Sequence, residues 1–221
     1  MWKDAEVFLL SDRYVAPLVK KYGHCTLKPR QKKYYFEDLV DAIVQQQLSM
    51  KAASAIFNRL KEVIEKQEAK YEKELKNEIH KWRNTTTKSV EITAGKLIVI
   101  SDTKMRTCGL SRPKVVYLKD LSQRVHDKRL KITLLHKLSD DEIIKNLTEI
   151  KGIGEWTAHM FLMFTLCRPD IFPSGDLGLR NAFSKVIKKG LDQKQMEKFA
   201  LRWKPFRTIA SWYIWKTLEN N

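Results

Sequence analysis

Long apolar runs are missing from this chain of 221 residues. None approaches the roughly 18 apolar residues that a membrane span requires, and the opening Met1-Trp2-Lys3-Asp4-Ala5-Glu6 is not a signal peptide. The expectation is an intracellular protein with no membrane partner. Cysteine is scarce: Cys25, Cys108 and Cys167 are far apart and form no C-x-x-C pair, so buried reduced thiols are the expected state of all three. His24, His80, His126, His136 and His159 stand at no metal-ligand spacing from them, which argues against a catalytic zinc. Strand signals are equally thin. Only Glu91-Ile92-Thr93 and Leu97-Ile98-Val99-Ile100 read as strand-like, both short, and the hydrophobic period is helical nearly everywhere else. The fold class is all-α.

What the chain has in quantity is positive charge. Lys and Arg number 42 against 26 Asp and Glu, a formal net charge of +16 with a pI near 9.7. Such an excess predicts a polyanionic partner, nucleic acid ahead of an anionic membrane surface. Single basic residues such as Arg112 carry little argument, since most simply solvate the surface.

Phe36, Leu39, Val40 and Ile43 mark a helix running into Gln45-Gln46-Gln47-Leu48-Ser49; after a break near Gln47 to Ser49, with Ser49 as N-cap, Ala52, Ala53, Ile56, Phe57, Leu60 and Ile64 mark another. From Lys61 to Arg83 the chain is dense in Lys and Glu, but Ile64, Tyr71, Leu75 and Ile79 keep an apolar stripe, and Glu62/Lys66 and Glu72/Lys76 are i,i+4 pairs. That pattern predicts a long solvated helix, with Asn84-Thr85-Thr86-Thr87-Lys88 as a link. A short helix then stops at Gly109, and one with Val115, Val116, Leu118 and Leu121 follows. Near the C-terminus come helices from Asp176 to Lys189, over Gln193 to Arg202, and from Pro205 at a favoured first position, the last holding Trp212, Tyr213 and Trp215.

The chain turns on Leu147-Thr148-Glu149-Ile150-Lys151-Gly152-Ile153-Gly154-Glu155-Trp156-Thr157-Ala158. Ser139-Asp140-Asp141-Glu142 is a capping box opening a helix with Ile143, Ile144, Leu147 and Ile150 on one face. Gly152-Ile153-Gly154 is too short for an ordinary loop, and its two glycines permit positive φ and close backbone approach, so a second helix follows at once. At such a helix-hairpin-helix the N–H groups of Ile153, Gly154 and the next first turn point outward and can hold a DNA phosphate; the bland alternative is a glycine C-cap between packed helices. The second helix looks buried, through Ala158, Met160, Phe161, Leu162 and Phe164, and a loop with Pro169 and Pro173 leads to Phe172-Pro173-Ser174-Gly175-Asp176-Leu177-Gly178.

The pattern L-x-x-I-K-G-I-G-x-W-T-A, followed twenty residues after Trp156 by the Asp of F-x-x-x-D-L-G, resembles DNA-3-methyladenine glycosylase II, in the helix-hairpin-helix DNA glycosylase superfamily. Gly109-Leu110-Ser111, Lys114 to Leu118 and Trp203-Lys204-Pro205-Phe206-Arg207-Thr208 resemble it as well, so the likeness spans about Phe36 to Leu218 apart from a lengthened region over Lys61 to Thr93. It implies two helical lobes with a cleft between them: residues 35–167, including the hairpin at about 143–166, and residues 1–34 plus 168–221, carrying the catalytic Asp. Larger members carry an additional N-terminal β-rich domain, for which there is no room here. Some relatives hold a four-cysteine iron-sulfur cluster near the C-terminus; with no cysteine after Cys167, none is expected, and no cofactor is required.

The resemblance also implies roles. Excising a base passes through an oxocarbenium-like transition state that needs a fixed anion and a positioned water, and Asp176 suits that task, at a helix N-terminus whose dipole keeps it ionised; an Asp before a helix is also a favoured N-cap, and both roles can hold. Where strand-cutting members place a Schiff-base Lys this chain has Trp156, implying a monofunctional glycosylase that uses water and leaves an abasic site. Trp156, Trp215 and Met160 fall at base-pocket positions, against the alternative that each Trp is core. Aromatic faces suit an alkylated purine, which is cationic and leaves readily. A flipped base leaves a gap to fill, and Gln46-Gln47-Leu48-Ser49 matches the minor-groove wedge, with Gln47 at its tip and Leu110 a second wedge; the alternative is a polar helix end. Gly152, Ile153, Gly154 and Thr157 are the hairpin's DNA-binding candidates. The hairpin of the family can hold a monovalent cation through backbone carbonyls, here those of Thr148, Ile150 and Ile153. The implied protein is a monomer acting on duplex DNA with alkylated purines such as 3-methyladenine or 7-methylguanine, in bacterial or archaeal cytoplasm or in a nucleus. Its rivals are a glycosylase for other damaged or mispaired bases and a non-catalytic module that binds damaged DNA.

Overall fold

The computed structural model describes residues 1–78 and 91–218, excluding the side chains of 72–78. Its helices are α1 (Lys3–Leu9), α2 (Ala16–Tyr22), α3 (Tyr35–Gln45), α4 (Met50–Glu78), α5 (Ala94–Val99), α6 (Asp102–Thr107), α7 (Arg112–His126), α8 (Asp140–Thr148), α9 (Glu155–Met160), α10 (Leu177–Val186), α11 (Gln193–Ala200) and α12 (Arg207–Lys216). No strand occurs among the described residues, so the fold is all-α, and no helix among them is long and apolar enough to cross a membrane. The end of the long helix toward Arg83, the Glu72/Lys76 pair with Leu75 and Ile79, and the Asn84 to Lys88 link lie outside the described residues.

Both strand-like runs are corrected. Glu91 to Thr93 forms no regular element, and Leu97 to Val99 is helical, in α5. Thr93 caps α5 by accepting from the Lys96 amide at 3.4 Å, and the Lys119 ammonium of α7 takes the carbonyls of Leu97, Ile98 and Ile100 at 3.1, 2.8 and 2.5 Å. With a local cap at one end and the Lys119 ammonium at the other, the helix is held against the β preference of Ile and Val.

The chain divides into two compact units. One is Met1–Arg30, Ser139–Ile144 and Gly154–Asn221; the other is Gln31–Leu138 and Lys145–Ile153. The division falls inside the hairpin, and Gly154 to Cys167, which the sequence alone groups with the barrel lobe, belongs to the first unit. In the second unit Leu39, Ile43, Leu60, Ile64, Leu97 and Leu118 form a dry centre among α3, α4, α5 and α7. Ser49 caps α4, accepting from the Ala52 amide at 3.3 Å.

The first unit is centred on a lattice of edge-packed rings: Phe183 stands 6.1 Å from Phe172, 5.4 Å from Phe199 and 6.0 Å from Trp203. Helix α12 begins at Arg207, two residues later than Pro205 suggests, because its first turn is committed to the preceding loop. The Arg207 guanidinium grips the Asp170 carboxylate at 2.7 and 2.9 Å, the Thr208 hydroxyl donates to the Arg168 carbonyl at 2.6 Å and accepts from the Ile171 amide at 2.9 Å. Those bonds fix the loop that delivers Asp176. Near the N-terminus, Glu6 accepts from the Cys25 amide at 2.8 Å and the Tyr213 hydroxyl at 3.3 Å. The cysteines are free; Cys108 and Cys167 are buried and Cys25 only half-buried. Burial pushes the Cys25 and Cys167 thiols up to about 11, so both stay protonated near neutrality.

The ring lattice yields a stability prediction. Phe183→Ala, at a site with no exposed surface, should cost about 3–5 kcal/mol, read as a lowered urea midpoint.

Candidate active site and hairpin

The hairpin starts from a capping box that matches the sequence reading: the Glu142 carboxylate accepts from the Ser139 amide at 2.8 Å and Ser139 Oγ accepts from the Glu142 amide at 3.3 Å. Its two glycines differ in kind. Gly152 has φ +78°, and a Cβ there would meet the Tyr117 ring at 2.1 Å, so only glycine fits. Gly154 is corrected: its φ is −98° and ψ 177°, extended backbone open to any residue, and a Cβ would meet nothing within 4 Å. Nothing within the chain therefore requires glycine at position 154. The Ile153 amide is corrected as well, since it donates to the Ile150 carbonyl at 3.0 Å within the turn and its side chain is buried. Gly154 precedes α9 as an N-cap without a side-chain cap bond, so the first-turn amides of Glu155, Trp156 and Thr157 lie outside the intrahelical ladder. The Thr157 side chain is buried.

Asp176 is both cap and anchored anion. It is the N-cap of α10, with Oδ1 accepting from the Leu179 amide at 2.6 Å. Oδ1 also accepts from the Trp215 indole N–H at 3.0 Å, and Oδ2 from the Trp156 indole N–H at 2.8 Å. All three partners donate, which suits a carboxylate with four lone pairs and leaves one on Oδ2 uncommitted. Trp156 is 44% exposed and so is not a core tryptophan; Trp215 is half-buried. The Phe164 ring lies 5.7 Å from that of Trp215 and is 39% exposed. Phe164 reads as buried from sequence, but helix α9 continues as a π-helix over Phe161–Thr165, and that change of period re-aims it. Met160, at the end of α9, is half-buried. A Cβ on Gly178 would sit 3.1 Å from Asp176 Oδ1 and 3.4 Å from Trp215 Nε1, so the glycine of the D-L-G motif keeps space for that bond.

The loop between α3 and α4 is exposed from Gln47 to Met50, with Leu48 40% exposed. Gln47 has φ +57°, a conformation costing a non-glycine residue about 1–2 kcal/mol. The Gln46 side-chain amide donates to the Gly152 carbonyl at 2.8 Å, tying this loop to the hairpin turn. Leu110 is corrected: it is 3% exposed, because Gly109 at φ +101° turns it into the second unit's core, where it cannot serve as a wedge. Sequence reasoning missed Tyr117, Phe164 as a surface ring, Gly178 and the support beneath Gln47; the D-L-G motif held the one available signal, for Gly178.

These features define a helix-hairpin-helix protein with an anchored carboxylate beside exposed aromatic rings. The chain belongs to the HhH-GPD superfamily of base excision DNA repair proteins, whose pattern it matches over residues 40–206. It is 34% identical over 194 residues to "DNA-3-methyladenine glycosylase 1" of Schizosaccharomyces pombe, covering 85% of this chain and 74% of the relative. To "Alkylbase DNA glycosidase-like protein mag2" of the same yeast it is 31% identical over 97% of this chain and 93% of the relative. Among solved structures, the S. pombe 3-methyladenine DNA glycosylase Mag1 in complex with abasic DNA superposes with a TM-score of 0.75 at 31% identity, over 98% of this chain and 97% of that one. The resemblance read from the hairpin and the Asp176 motif is thereby established as kinship.

The two glycines should separate cleanly on mutation. Gly152→Ala should cost about 1–3 kcal/mol through strained backbone and the Tyr117 ring, whereas Gly154→Ala should change stability by no more than about 0.5 kcal/mol; thermal denaturation of the pair checks both.

Proposed function

We propose that this chain is a monofunctional DNA glycosylase that flips alkylated purines, of the 3-methyladenine and 7-methylguanine type, out of duplex DNA and hydrolyses their N-glycosidic bond. The observation that carries the reading is the Asp176 carboxylate held by two indole N–H groups and the Leu179 amide. A fixed anion of that kind stabilises positive charge developing on the sugar as the C1′–N bond breaks. The purine departs with the bonding electrons, losing the positive charge its alkylation gave it, and water adds its oxygen to C1′ while releasing one proton to solvent. Oδ2, with its uncommitted lone pair, is the atom suited to that water or to the sugar. An alkylated purine needs little proton donation to leave, and a cation is attracted to ring faces by about 0.5–2 kcal/mol per contact. Trp156, Trp215, Phe164 and Met160 supply such a wall, the two tryptophans offering faces while their edges hold Asp176.

Duplex DNA is the partner this reading requires. Its phosphate is received at the open backbone of Gly154 and the uncapped first turn of α9, and Gln47, with Leu48 and Ser49, enters the minor groove when the base leaves. With Trp156 where a Schiff-base lysine would stand, the product is an abasic site and an intact strand. A monovalent cation at the hairpin would draw on the carbonyls of Thr148, Ile150 and Ile153, of which that of Ile150 spends one lone pair on the Ile153 amide. The chain acts as a monomer without an obligatory cofactor, and its +16 charge favours association with nucleic acid.

Release of free base from methylated duplex DNA tests the proposal. Wild type should release 3-methyladenine with strand breaks appearing only after alkali, and Asp176→Asn should lose on the order of 10²-fold or more in rate while keeping its affinity for abasic DNA. Equal turnover by Asp176→Asn would remove the mechanism; tight binding without release by either form would favour a damage-binding module. Gly154→Ala should bind duplex DNA about tenfold more weakly, an affinity change of about 1.4 kcal/mol, in a filter-binding or anisotropy titration.

A further inference from the structure

Lys114 presents a feature that the reaction described above does not use. Its side chain, on α7, is 9% exposed, and its ammonium donates to the Val44 and Gln46 carbonyls at 2.7 Å each. Val44 belongs to the last turn of α3, and Gln46 is its C-cap. Between them, the Gln45 carbonyl accepts from the Leu48 amide at 3.1 Å. The three carbonyls leading into Gln47 are thus all bound, two by one buried cation at the negative end of a helix dipole. Burial alone pulls the Lys114 pKa below its usual value, and no carboxylate contributes to its shift. A charge held in that position without an acidic partner is costly unless its hydrogen bonds are used. Directly after them stands Gln47 at φ +57°, and the Gln46 side chain reaches the Gly152 carbonyl.

We infer that Lys114 is a positioning residue for base flipping: its ammonium fixes the backbone on which Gln47 is presented, so that the wedge is already formed before DNA arrives. The inference rests on the reading of Gln47 as wedge. A preformed wedge costs no ordering when it enters the groove, and a small displacement of a positioned group lowers rates strongly. Duplex substrate needs a wedge; a methylated single strand has no stack to fill. The role therefore acts on one substrate and not the other, which a merely stabilising lysine would not do.

Excision from methylated duplex and methylated single-stranded DNA should be compared for wild type, Gln47→Ala, Lys114→Met, Lys114→Arg and the Gln47→Ala/Lys114→Met double variant. Lys114→Met should lose about ten- to a hundredfold on duplex and no more than about twofold on single strands; Lys114→Arg, which keeps a cationic donor, should recover most of the duplex rate. The double variant should be no slower than the worse single one, since both act through one loop. Equal losses on both substrates, or multiplying losses in the double variant, would reduce Lys114 to a structural cap. If Gln47→Ala slows duplex excision and Lys114→Met does not, this inference fails and the wedge stands; if Gln47→Ala changes nothing on duplex, the wedge reading fails and takes this inference with it. Should Lys114→Met not fold, Lys114→Gln, with one amide for two carbonyls, carries the same comparison.

Discussion

The first unit depends on one carboxylate with three donors. Asp176 must be in place for α10 to start, since its Oδ1 satisfies the Leu179 amide, and the indole bonds then fix α9 through Trp156 and α12 through Trp215 to the same point. Three helices meet at two oxygen atoms. Such charge-assisted bonds are about twice as strong as neutral ones, and losing the acceptor would strand two indole N–H groups. The constraint reaches further through α12, whose first turn clamps the loop 168–171 by Arg207 and Thr208 while its later turns carry Trp215. One helix thus positions both the approach to Asp176 and the group that holds it. Gly178 is favoured for the same reason, because a Cβ there would crowd that indole-to-carboxylate contact by a few tenths of an ångström.

In the second unit α7 has the corresponding place. Lys119 closes the C-terminal carbonyls of α5, Lys114 closes those of α3, and Tyr117 covers Gly152 so closely that no Cβ fits. Asp120 accepts from the Lys151 amide at 2.9 Å and pairs with Arg124 at 3.1 Å, steadying the hairpin from below. One helix thereby sets the ends of two others and the turn that the sequence marks as central. Much of its surface is polar, yet these polar atoms are spent on backbone groups rather than on water.

Legibility from sequence followed the range of the interaction. The capping box at Ser139 and Glu142, the positive φ at Gly152 and the cap at Asp176 are local chemistry and can be read directly. That Asp176 and Trp156 meet is legible through their spacing in the motif, and the indole-to-carboxylate hydrogen bond is the contact that joins them. What could not be read lies across the chain: Lys114 to Val44 and Lys119 to Leu97 join segments 70 and 22 residues apart, and a lysine in a chain with 42 basic residues gives no sign of being buried. Phe164 was hidden for another reason, since a π segment shifts the face that a 3.6 period assigns. Leu110 failed as a wedge because the glycine before it decides its direction, and a propensity-based reading does not supply that φ.

The exposed rings beside Asp176 need their own explanation. Trp156 and Phe164 leave 44% and 39% of their surfaces to solvent, although the same unit buries Trp203 and Phe183 completely. Large rings held at the surface sacrifice hydrophobic stabilisation of about 25 cal/mol per Å², an exposure to which the proposed base pocket would give a use. Here the exposure is enforced: the Trp156 edge is tied to Asp176 and Phe164 is turned outward by the π segment, so neither ring can retract into the core. A flipped purine would cover the faces that the protein leaves bare, displacing water from around the carboxylate as it does so. Under the proposed function, the field of that carboxylate would then be strongest just when the sugar begins to carry positive charge, coupling recognition of the base to stabilisation of the transition state.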